Sequence, residues 1–516
     1  MSQGRAGQLV VRHMASPHVL KDNLTAREGH ADKWDVLDAN ALKRQPPPPP
    51  IVADHLGALA TTQQQMRERR PKRADASPQQ SRVVRYPNGG LSAGGYHSAV
   101  VDASGKLFVF GCNAQGQLGL GHTDDVDTPT PLEDAFDGAA IDHVSCGTSH
   151  TAAVDCYGRL WMWGYGKAGL GAKPLPKPRG AMARLLKKAG TPPPELMPNS
   201  LKPLLVPSLE NIRVRYVSCG WSHSALITSS FQLYTWGRGE HGKLGHGDEE
   251  TVYEPKAVTA LAQHEAQQVA CGAAHTAIIT RIGNVYCCGQ GIACAVSKRG
   301  KVTTPVEVTT LTRANARVRQ IACGAGHTAC IAASGELFTW GWNKCGQLGT
   351  GTRTDSHVPQ SVALPGRSTA NRVACGAYHT VVSLGGGDLV TFGAGGKGEM
   401  GADGKPVALS RNGELGRLGI VGDEEERGGG DRLRAKTVSG PWKLSHQKTR
   451  VEHVSAGGYH TMFVTEAGEL FSHGVGLNGR LGHGDAEPRV SPTLVKGFTS
   501  RAPILVNDNK SIKEKS

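Results

Sequence analysis

The sequence contains no long apolar run. In its 516 residues, no stretch approaches the roughly 20 apolar residues that a membrane-spanning helix requires. The first residues also lack the compact apolar core of a secretory signal. These absences predict an intracellular chain without a membrane span, and we expect it in the cytoplasm or the nucleus.

Motifs of common enzyme chemistry are missing as well. We recognise no nucleophile elbow, no phosphate loop of the GxxxxGKS/T kind and no HExxH pair, so hydrolase and nucleotide-binding chemistry have no support. The twelve cysteines form no CxxC pair, which argues against a zinc site and favours a reducing compartment. We therefore predict no catalytic residue, no metal and no cofactor.

What the sequence does contain is one phrase in seven copies: a small residue, Gly, two variable residues, His, and Thr or Ser, followed by an apolar run. Neighbouring histidines lie 53, 73, 52, 52, 52 and 81 residues apart. A period near 52 with two enlarged steps indicates a repeat architecture that carries two insertions. The repeated positions are Gly94 and His97, Gly147 and His150, Gly220 and His223, Gly272 and His275, Gly324 and His327, Gly376 and His379, and Gly457 and His460.

Each repeat predicts about four short strands. After the histidine, a turn with Gly joins two apolar runs, as in DASGKLFVFG from Asp102, which is typical of a hairpin. A GQLGLG-like element and a Pro-containing run follow, and Pro suits the edge of a sheet. One such sheet is unlikely to be stable alone, whereas seven arranged radially cover one another's faces. We predict an all-β fold, a seven-bladed β-propeller of four-stranded antiparallel blades over residues 82–498.

The composite phrase ACGxxHTxxxxxxGxLxxWGxxxxGQLGxG resembles the repeat of the regulator of chromosome condensation family, whose fold is a seven-bladed propeller. The resemblance covers about four fifths of the chain. It implies one activity that needs none of the missing motifs, namely guanine-nucleotide exchange on a small GTPase, which works by binding energy. The family's founding exchange factor uses a short inserted hairpin as a wedge, and neither insertion resembles that hairpin.

We predict structural roles for the repeated side chains. Equivalent positions in seven blades form a ring too wide for the histidines to bond one another, so each imidazole should satisfy backbone groups at its own blade turn. The tryptophans of the Trp-Gly strands should pack in the core, and the cysteines that precede the repeated Gly should be small buried residues. These are Trp163, Trp236 and Trp340, and Cys146, Cys219, Cys271, Cys323 and Cys375.

Positive charge lies largely outside the repeats. The formal net charge is +14, and residues 173–203 carry seven basic residues against one acidic residue. We interpret 173–203 as an insertion between the second and third blades, with a short basic helix over 181–189. Its basic side chains form the predicted partner-binding site: Lys173, Lys177, Arg179, Arg184, Lys187 and Lys188.

A second insertion, over 402–448, combines an acidic run at 424–426 with a basic string of Arg432, Arg434 and Lys436, which favours a surface loop of mixed charge. The fourth repeat is degenerate, with Cys287 and Cys288 in place of a Trp-Gly strand end. How the ring closes stays open, because strands near residues 83 and 494 could complete one shared blade or two separate ones.

The two ends of the chain differ from the repeats in composition and lack the repeated phrase. Residues 1–81 form a basic, Pro-rich extension that we predict to be disordered, and 499–516 form a short polar tail. The basic cluster at 67–73 resembles a nuclear import signal. The first 21 residues contain no acid, which is compatible with a mitochondrial transit peptide. The mitochondrion therefore stays an alternative compartment.

The leading functional hypothesis is a non-catalytic scaffold that binds a protein partner through loops on one face of the propeller. The alternatives are a guanine-nucleotide exchange factor for a small GTPase, and a regulator associated with chromatin or nucleic acid through the basic segments. Those segments lack interleaved aromatic residues, so any binding of nucleic acid should be nonspecific and depend steeply on salt.

Overall fold

The computed structural model describes residues 90–166, 199–395, 418, 432–438 and 449–499. These residues all belong to one compact unit. Their strands form seven four-stranded antiparallel sheets, and each sheet uses four strands that are consecutive in the sequence. The seven-bladed β-propeller predicted from the repeat period is therefore confirmed.

The strands follow the repeats blade by blade. Blade 1 contains β1 (Leu91–Ala93), β2 (His97–Val101), β3 (Leu107–Gly111) and β4 (Val126–Pro131). Blade 2 contains β5 (Ile141–Cys146), β6 (His150–Asp155), β7 (Leu160–Gly164) and β8 (Ser200–Leu205). Blade 3 contains β9 (Val214–Cys219), β10 (His223–Thr228), β11 (Leu233–Gly237) and β12 (Val252–Ala257). Blade 4 contains β13 (Ala266–Cys271), β14 (His275–Thr280), β15 (Val285–Gln290) and β16 (Lys301–Glu307).

Blade 5 contains β17 (Val318–Cys323), β18 (His327–Ala332), β19 (Leu337–Gly341) and β20 (Ser356–Ser361). Blade 6 contains β21 (Ala370–Cys375), β22 (His379–Leu384), β23 (Leu389–Gly393) and β24 (Arg432–Thr437). Blade 7 contains β25 (Val451–Ala456), β26 (His460–Thr465), β27 (Glu469–Gly474) and β28 (Arg489–Thr499). One short helix, α1 (Thr309–Arg313), leads from blade 4 to blade 5. Single 3-10 turns occur at Pro207–Leu209, Glu240–Gly242, Thr259–Leu261, Pro365–Arg367 and Leu477–Gly479.

The first strand of each blade lies innermost, since first strands of neighbouring blades pack against each other around the whole ring. The repeated phrase supplies the loop between the first and second strands, which we call the axial loop. Because the strands alternate in direction, the connection between the third and fourth strands emerges at the same end of the blade as the axial loop. The hairpin between the second and third strands lies at the opposite end.

The first insertion lies inside a blade, so its predicted position between blades 2 and 3 is wrong. It joins β7 to β8 within blade 2, and Gly164 pairs directly with Ser200. Residues 200–203, predicted as part of the insertion, form the start of β8. This strand contains Pro203, and it corresponds to the Pro-containing run that forms the fourth strand in other repeats. The predicted helix at 181–189 lies outside the described residues.

The second insertion also contains more of the repeat than predicted. Arg432, Arg434 and Lys436 lie in strand β24 rather than in a surface loop. Leu418 is buried, and its carbonyl accepts a hydrogen bond from Thr391 Oγ1 at 2.8 Å. In blade 5 the Leu348 carbonyl accepts from Thr339, so Leu418 occupies in blade 6 the position of the leucine in the GQLG-like element. The acidic run at 424–426 lies outside the described residues.

Two separate blades meet where the ring closes. Strand β1 belongs to blade 1 and β28 to blade 7, so the ring closes without a shared blade. The seam is held by hydrogen bonds: Ala93 N donates to Ser455 Oγ at 2.9 Å, and Gly458 N donates to the Gly94 carbonyl at 3.0 Å. Residue 83, predicted to lie near this seam, is outside the described residues, as are 1–81 and 500–516.

The repeated histidines connect each blade to the next one. In all seven cases Nε2 lies 2.7 to 3.0 Å from a hydroxyl oxygen of the following blade, and blade 7 bonds blade 1 in the same way. The predicted partner, a backbone group of the same blade turn, is therefore wrong. The seven pairs are His97 with Thr151, His150 with Ser224, His223 with Thr276, His275 with Thr328, His327 with Thr380, His379 with Thr461, and His460 with Ser98.

The hydroxyl completes a chain of hydrogen bonds. Thr380 Oγ1 donates to the carbonyl of Gln347, which belongs to the same blade as His327. Because that hydroxyl proton is used, Thr380 Oγ1 must accept from the imidazole, which assigns the proton of neutral His327 to Nε2. The same arrangement occurs at Thr151, Thr276, Thr328 and Ser98, with distances to the carbonyls of 2.7 to 2.9 Å. Each hydroxyl thus lies between two groups of the preceding blade.

Neighbouring innermost strands are linked by a second set of bonds. Cys219 N donates to Ser145 Oγ of the preceding blade at 2.9 Å, and three further seams share this pattern. Where Ala replaces this Ser, the cysteine thiol acts instead: Cys323 Sγ donates to the Ala270 carbonyl at 3.4 Å. Four of the five cysteines are buried and Cys323 is half-buried, close to the prediction. Trp163, Trp236 and Trp340 are fully buried, as predicted.

The histidines also explain the repeated glycine. Gly324 lies against the imidazole of His327 and the carbonyl of Gly376 in the next blade, and a Cβ at Gly324 would overlap both. Since interiors are close-packed, no side chain fits this position. The repeated pair of Gly and His is therefore one packing unit.

We predict that His327→Ala lowers the free energy of unfolding by about 1 to 3 kcal/mol, because it leaves the buried Thr380 hydroxyl without its donor. Thr380→Val should destabilise to a similar extent, and the double variant should lose clearly less than the sum of the two. Chemical denaturation of the single and double variants measures this coupling. Fully additive losses would contradict the inter-blade bond.

We also predict that Gly324→Ala destabilises the fold by about 3 kcal/mol or more, through overlap with the imidazole and the neighbouring carbonyl. The matched control is Gly386→Ala, since a Cβ at Gly386 meets nothing within 4 Å. The control should change stability by no more than about 0.5 kcal/mol. Thermal melts of both variants provide the test, and equal melting temperatures would refute the packing argument.

Acid should destabilise the propeller below about pH 6.5. Burial lowers the pKa of His97 and His327 to about 3 and that of His150 and His275 to about 4. The unfolded chain takes up these protons near pH 6.5 whereas the folded chain stays neutral, so stability falls as pH decreases from 6.5 towards 4. Each histidine contributes a slope of about 1.4 kcal/mol per pH unit. Urea titrations at pH 7.5, 6 and 5 measure this slope, and His327→Gln should reduce it.

Candidate functional site

The seven axial loops form a continuous ring at one end of the propeller. Backbone hydrogen bonds join neighbouring loops across blade boundaries, for example from Gly95 N to the Gly147 carbonyl at 3.0 Å and from Ala377 N to the Gly457 carbonyl at 3.2 Å. Trp221 and Ala325 donate in the same way to Gly272 and Ala377, both at 3.2 Å. Such bonds cross five of the seven blade boundaries. Loops bonded to a neighbour hold their side chains in place, as a binding surface requires.

Aromatic side chains lie on this ring of loops. Trp221 and Tyr378 pack against a small apolar cluster of Ala273, Ala325 and Ala377. Tyr96 and Tyr459 stack across the seam between blades 1 and 7, with ring centroids 6.2 Å apart. Trp342 packs its ring directly on Gly326. We call this set the axial surface: Tyr96, Trp221, Trp342, Tyr378 and Tyr459 with Ala273, Ala325 and Ala377.

Sequence reasoning did not single out the axial surface, although a signal was present. The two variable positions of the phrase hold an aromatic residue in four of seven copies, at Tyr96, Trp221, Tyr378 and Tyr459. The other three copies hold only small residues at these two positions, so the fold does not require an aromatic side chain there. Aromatic residues at positions that also accept small residues are typical of a binding surface.

Two buried cations lie beneath the axial surface. Lys243 and Arg480 occupy the second position of the GQLG-like element, with exposed fractions of 0% and 1%. Lys243 Nζ donates to Ser222 Oγ at 3.0 Å, next to Trp221. The Arg480 guanidinium lies 5.3 Å from the Tyr96 ring centroid and 6.0 Å from that of Tyr459. Burial lowers the pKa of Lys243 to about 8 and also lowers the pKa of Arg480.

The described residues offer little for covalent chemistry. The repeated histidines are fully buried between blades. Residues 90–94 do match the Gly-x-Ser-x-Gly spacing of a nucleophile elbow, but Ser92 lies in strand β1, and its hydroxyl accepts a hydrogen bond from Cys146 N at 2.8 Å. In an elbow the serine occupies a sharp turn from strand to helix. The serine here links two blades instead.

The cysteines of the degenerate blade 4 are equally enclosed. Cys287, Cys288 and Cys294 are buried, and burial raises the pKa of Cys288 and Cys294 well above the ordinary value. Such thiols stay protonated and unreactive. Blade 4 nevertheless keeps its inter-blade function, because the Ala293 carbonyl accepts from both Thr328 Oγ1 and Trp340 Nε1. Within the described ranges, no cluster of three or more His, Cys, Asp or Glu side chains could hold a metal ion.

The predicted partner-binding residues Lys173, Lys177, Arg179, Arg184, Lys187 and Lys188 lie outside the described residues. The positions where the chain leaves and rejoins the propeller are described, however. Gly164 and Ser200 are cross-strand partners, as are Gly393 and Arg432. Both insertions therefore join the propeller at the end that bears the axial surface. No helix in the described part of the chain has the length and apolar character that crossing a membrane requires.

Comparison with known proteins agrees with this geometry. The RCC1-like domain profile matches residues 190–507, and the regulator of chromosome condensation (RCC1) repeat matches residues 104–154 and, in a second profile, 90–117. The ultraviolet-B receptor UVR8 of Arabidopsis thaliana is 29% identical over 411 residues, which cover 79% of this chain and 82% of the receptor. The human E3 ubiquitin-protein ligase HERC2 is 32% identical over 329 residues, but the match spans 60% of this chain and 6% of HERC2.

Among solved structures, Prp20p of Saccharomyces cerevisiae superposes with a TM-score of 0.57 at 21% identity, covering 82% of this chain and 91% of Prp20p. At this identity the likeness shows the fold alone. The domain profile, by contrast, covers more than half of the chain, and the repeat profile adds residues 104–154 of blades 1 and 2. Together with the seven blades and their histidine seams, it shows that this protein belongs to the RCC1-like domain family of β-propellers.

Proposed function

We propose that the protein is a propeller scaffold that binds a protein partner through its axial surface and has no catalytic chemistry of its own. The observation that carries this proposal is the set of aromatic side chains on a ring of mutually bonded loops. Aromatic residues dominate binding energy at protein interfaces because they bury a large area at a small cost in side-chain entropy.

The position of the insertions supports the same end of the molecule. Both join the propeller beside the axial surface, so an insertion can contact a partner that occupies this surface. Lys173, Lys177, Arg179, Arg184, Lys187 and Lys188 then supply charge at the rim of the interface. Rim charges mainly accelerate association, whereas a central aromatic cluster sets the dissociation rate.

Guanine-nucleotide exchange is a second candidate. The structural neighbour Prp20p was described with its binding properties towards Gsp1p and histones. An exchange factor would act by stabilising the nucleotide-free form of a small GTPase on the axial surface, which needs no catalytic side chain in the propeller. A regulator attached to chromatin or nucleic acid is the third candidate, and its binding would weaken steeply with salt.

We predict that Trp221→Ala reduces partner capture at least about tenfold, which corresponds to a loss of about 1.4 kcal/mol of binding free energy. The full chain and the variant are used as bait in native extract, and the bound proteins are quantified by mass spectrometry. The matched control is Tyr157→Ala, because Tyr157 is exposed in a hairpin at the opposite end of its blade. Loss of partner capture with Tyr157→Ala and not with Trp221→Ala would show that the interface lies at the end opposite to the axial surface, and would refute the proposal.

A second variant separates the insertion from the axial surface. Residues 165–199 are replaced by residues 342–355, which join the equivalent pair Gly341 and Ser356 in blade 5. Slower association with an unchanged dissociation rate is the expected result for rim charges. If a small GTPase is recovered, a nucleotide-release assay tests the second candidate, and faster release in the presence of the propeller would support exchange activity. The identity of the bound proteins also indicates whether the compartment is cytoplasm, nucleus or mitochondrion.

A further inference from the structure

One position of the repeat is neutral in some blades and cationic in others. In blades 1 and 5 it holds Gln117 and Gln347, which are buried. Each amide oxygen accepts a hydrogen bond from the backbone N–H two residues earlier, at 2.8 and 2.9 Å. In blades 3 and 7 the position holds Lys243 and Arg480. The glutamines show that the fold needs no charge at this position.

The charge of Lys243 is only partly compensated. Among the described residues, its ammonium donates one hydrogen bond, to Ser222 Oγ, and Glu240 Oε2 lies 3.9 Å away. Glu240 is about half exposed and is shared with Arg238, whose guanidinium lies 3.6 Å from the other carboxylate oxygen. Water therefore screens the Glu240 charge, while Lys243 lies in the protein interior.

Arg480 is compensated only at a distance, because the nearby Asp125 carboxylate accepts a hydrogen bond from Asn478 Nδ2 at 2.6 Å rather than from the guanidinium. Its N–H groups donate to the Leu477 carbonyl at 2.8 Å, to Asn478 Oδ1 at 3.2 Å and to the Gly95 carbonyl at 3.5 Å. Within the described ranges it makes no ion pair with a carboxylate. The Tyr96 and Tyr459 rings offer only the weaker attraction of their π faces.

Burying a cation that is only weakly compensated is unfavourable, and a neutral glutamine serves in the equivalent blades 1 and 5. Both cations lie directly under the axial surface: Lys243 bonds the residue after Trp221, and Arg480 lies under the stacked tyrosines. A charge in a medium of low dielectric constant acts over a longer range than one in water. The potential of these two cations therefore extends to the surface above them.

We propose that Lys243 and Arg480 make the axial surface selective for an acidic segment of the protein partner, with carboxylates next to apolar side chains. This inference rests on the proposed function. The rim of the same end carries ion pairs, Lys301 with Glu249 and Arg489 with Asp485. These two rim pairs are neutral, whereas Lys243 and Arg480 lie under an axial surface that includes the apolar Ala273, Ala325 and Ala377. A segment with carboxylates next to apolar side chains fits such a surface better than a nucleic acid does.

Tryptophan quenching by ions measures this potential directly. Trp34→Phe, Trp342→Phe and Trp442→Phe leave Trp221 as the reporter, since Trp161, Trp163, Trp236 and Trp340 are buried. At low ionic strength, Lys243→Gln should lower the quenching constant of iodide about twofold and raise that of caesium, with that of neutral acrylamide unchanged. Unchanged iodide and caesium constants would overturn the inference.

The reciprocal variant guards against a folding defect in Lys243→Gln. Gln347→Lys places a cation in blade 5, where Trp342 is the reporter in a Trp34→Phe, Trp221→Phe and Trp442→Phe background. The variant should fold, because the equivalent position in blade 3 already accommodates a lysine. Iodide quenching of Trp342 should rise about twofold, because the added cation attracts the anion. No change in Trp342 quenching would count against a potential that reaches the surface.

Two polymer probes test the class of ligand. Hexaglutamate should protect Trp221 from iodide in the protein with Lys243 and lose this effect in Lys243→Gln, whereas an oligothymidylate of twelve nucleotides should protect weakly. Protection by the oligonucleotide alone would assign the surface to nucleic acid, and protection by neither probe would refute the acidic segment. These readouts need no partner, so they separate a failure of this inference from a failure of the capture experiment with Trp221→Ala.

Discussion

Each blade of this propeller buries a neutral imidazole whose hydrogen-bond partner belongs to the next blade. The hydroxyl that accepts from Nε2 donates in turn to a carbonyl of the blade that contains the histidine, as Thr380 does between His327 and Gln347. A blade in isolation would leave both the imidazole and the carbonyl without their partner, which is costly in a buried site. The blades are therefore stable as a ring, and the bond between His460 and Ser98 closes it.

The same constraint divides the repeat into constant and variable positions. Gly324 and His327 form one packing unit, since a side chain at Gly324 would overlap the imidazole and the Gly376 carbonyl. The two residues between them do not contribute to this packing unit, so they can be Trp221 and Ser222 in one blade and small residues in another. The second position of the GQLG-like element is similarly permissive, because its backbone carbonyl makes the seam bond whether the side chain is Gln, Lys or Arg. Function can thus be placed on this end of the molecule while the histidine seams are kept.

The sequence correctly predicted those positions whose burial follows from the strand pattern of a single repeat. Trp340 occurs at a regular strand position, and a large apolar side chain in a sheet packed on both faces has no alternative to the core. The fourth strands were harder to recognise, since they are half-exposed and polar and show no clear alternation. For this reason the predicted insertions include residues 200–203 of one fourth strand and the whole of another, Arg432–Thr437. Pro203 was the overlooked signal, because Pro is tolerated in an edge strand.

The repeat period decides the number of blades and the order of their strands, because hairpins form between segments that are close in the sequence. It does not identify the partner of any histidine, since the spacing within one repeat contains no information on which blade lies beside it. The axial surface and the cations beneath it depend on tertiary structure in the same way. Tyr96 and Tyr459 come from opposite ends of the propeller sequence, and only ring closure, through a bond that spans 362 residues between Ser98 and His460, brings them together over Arg480.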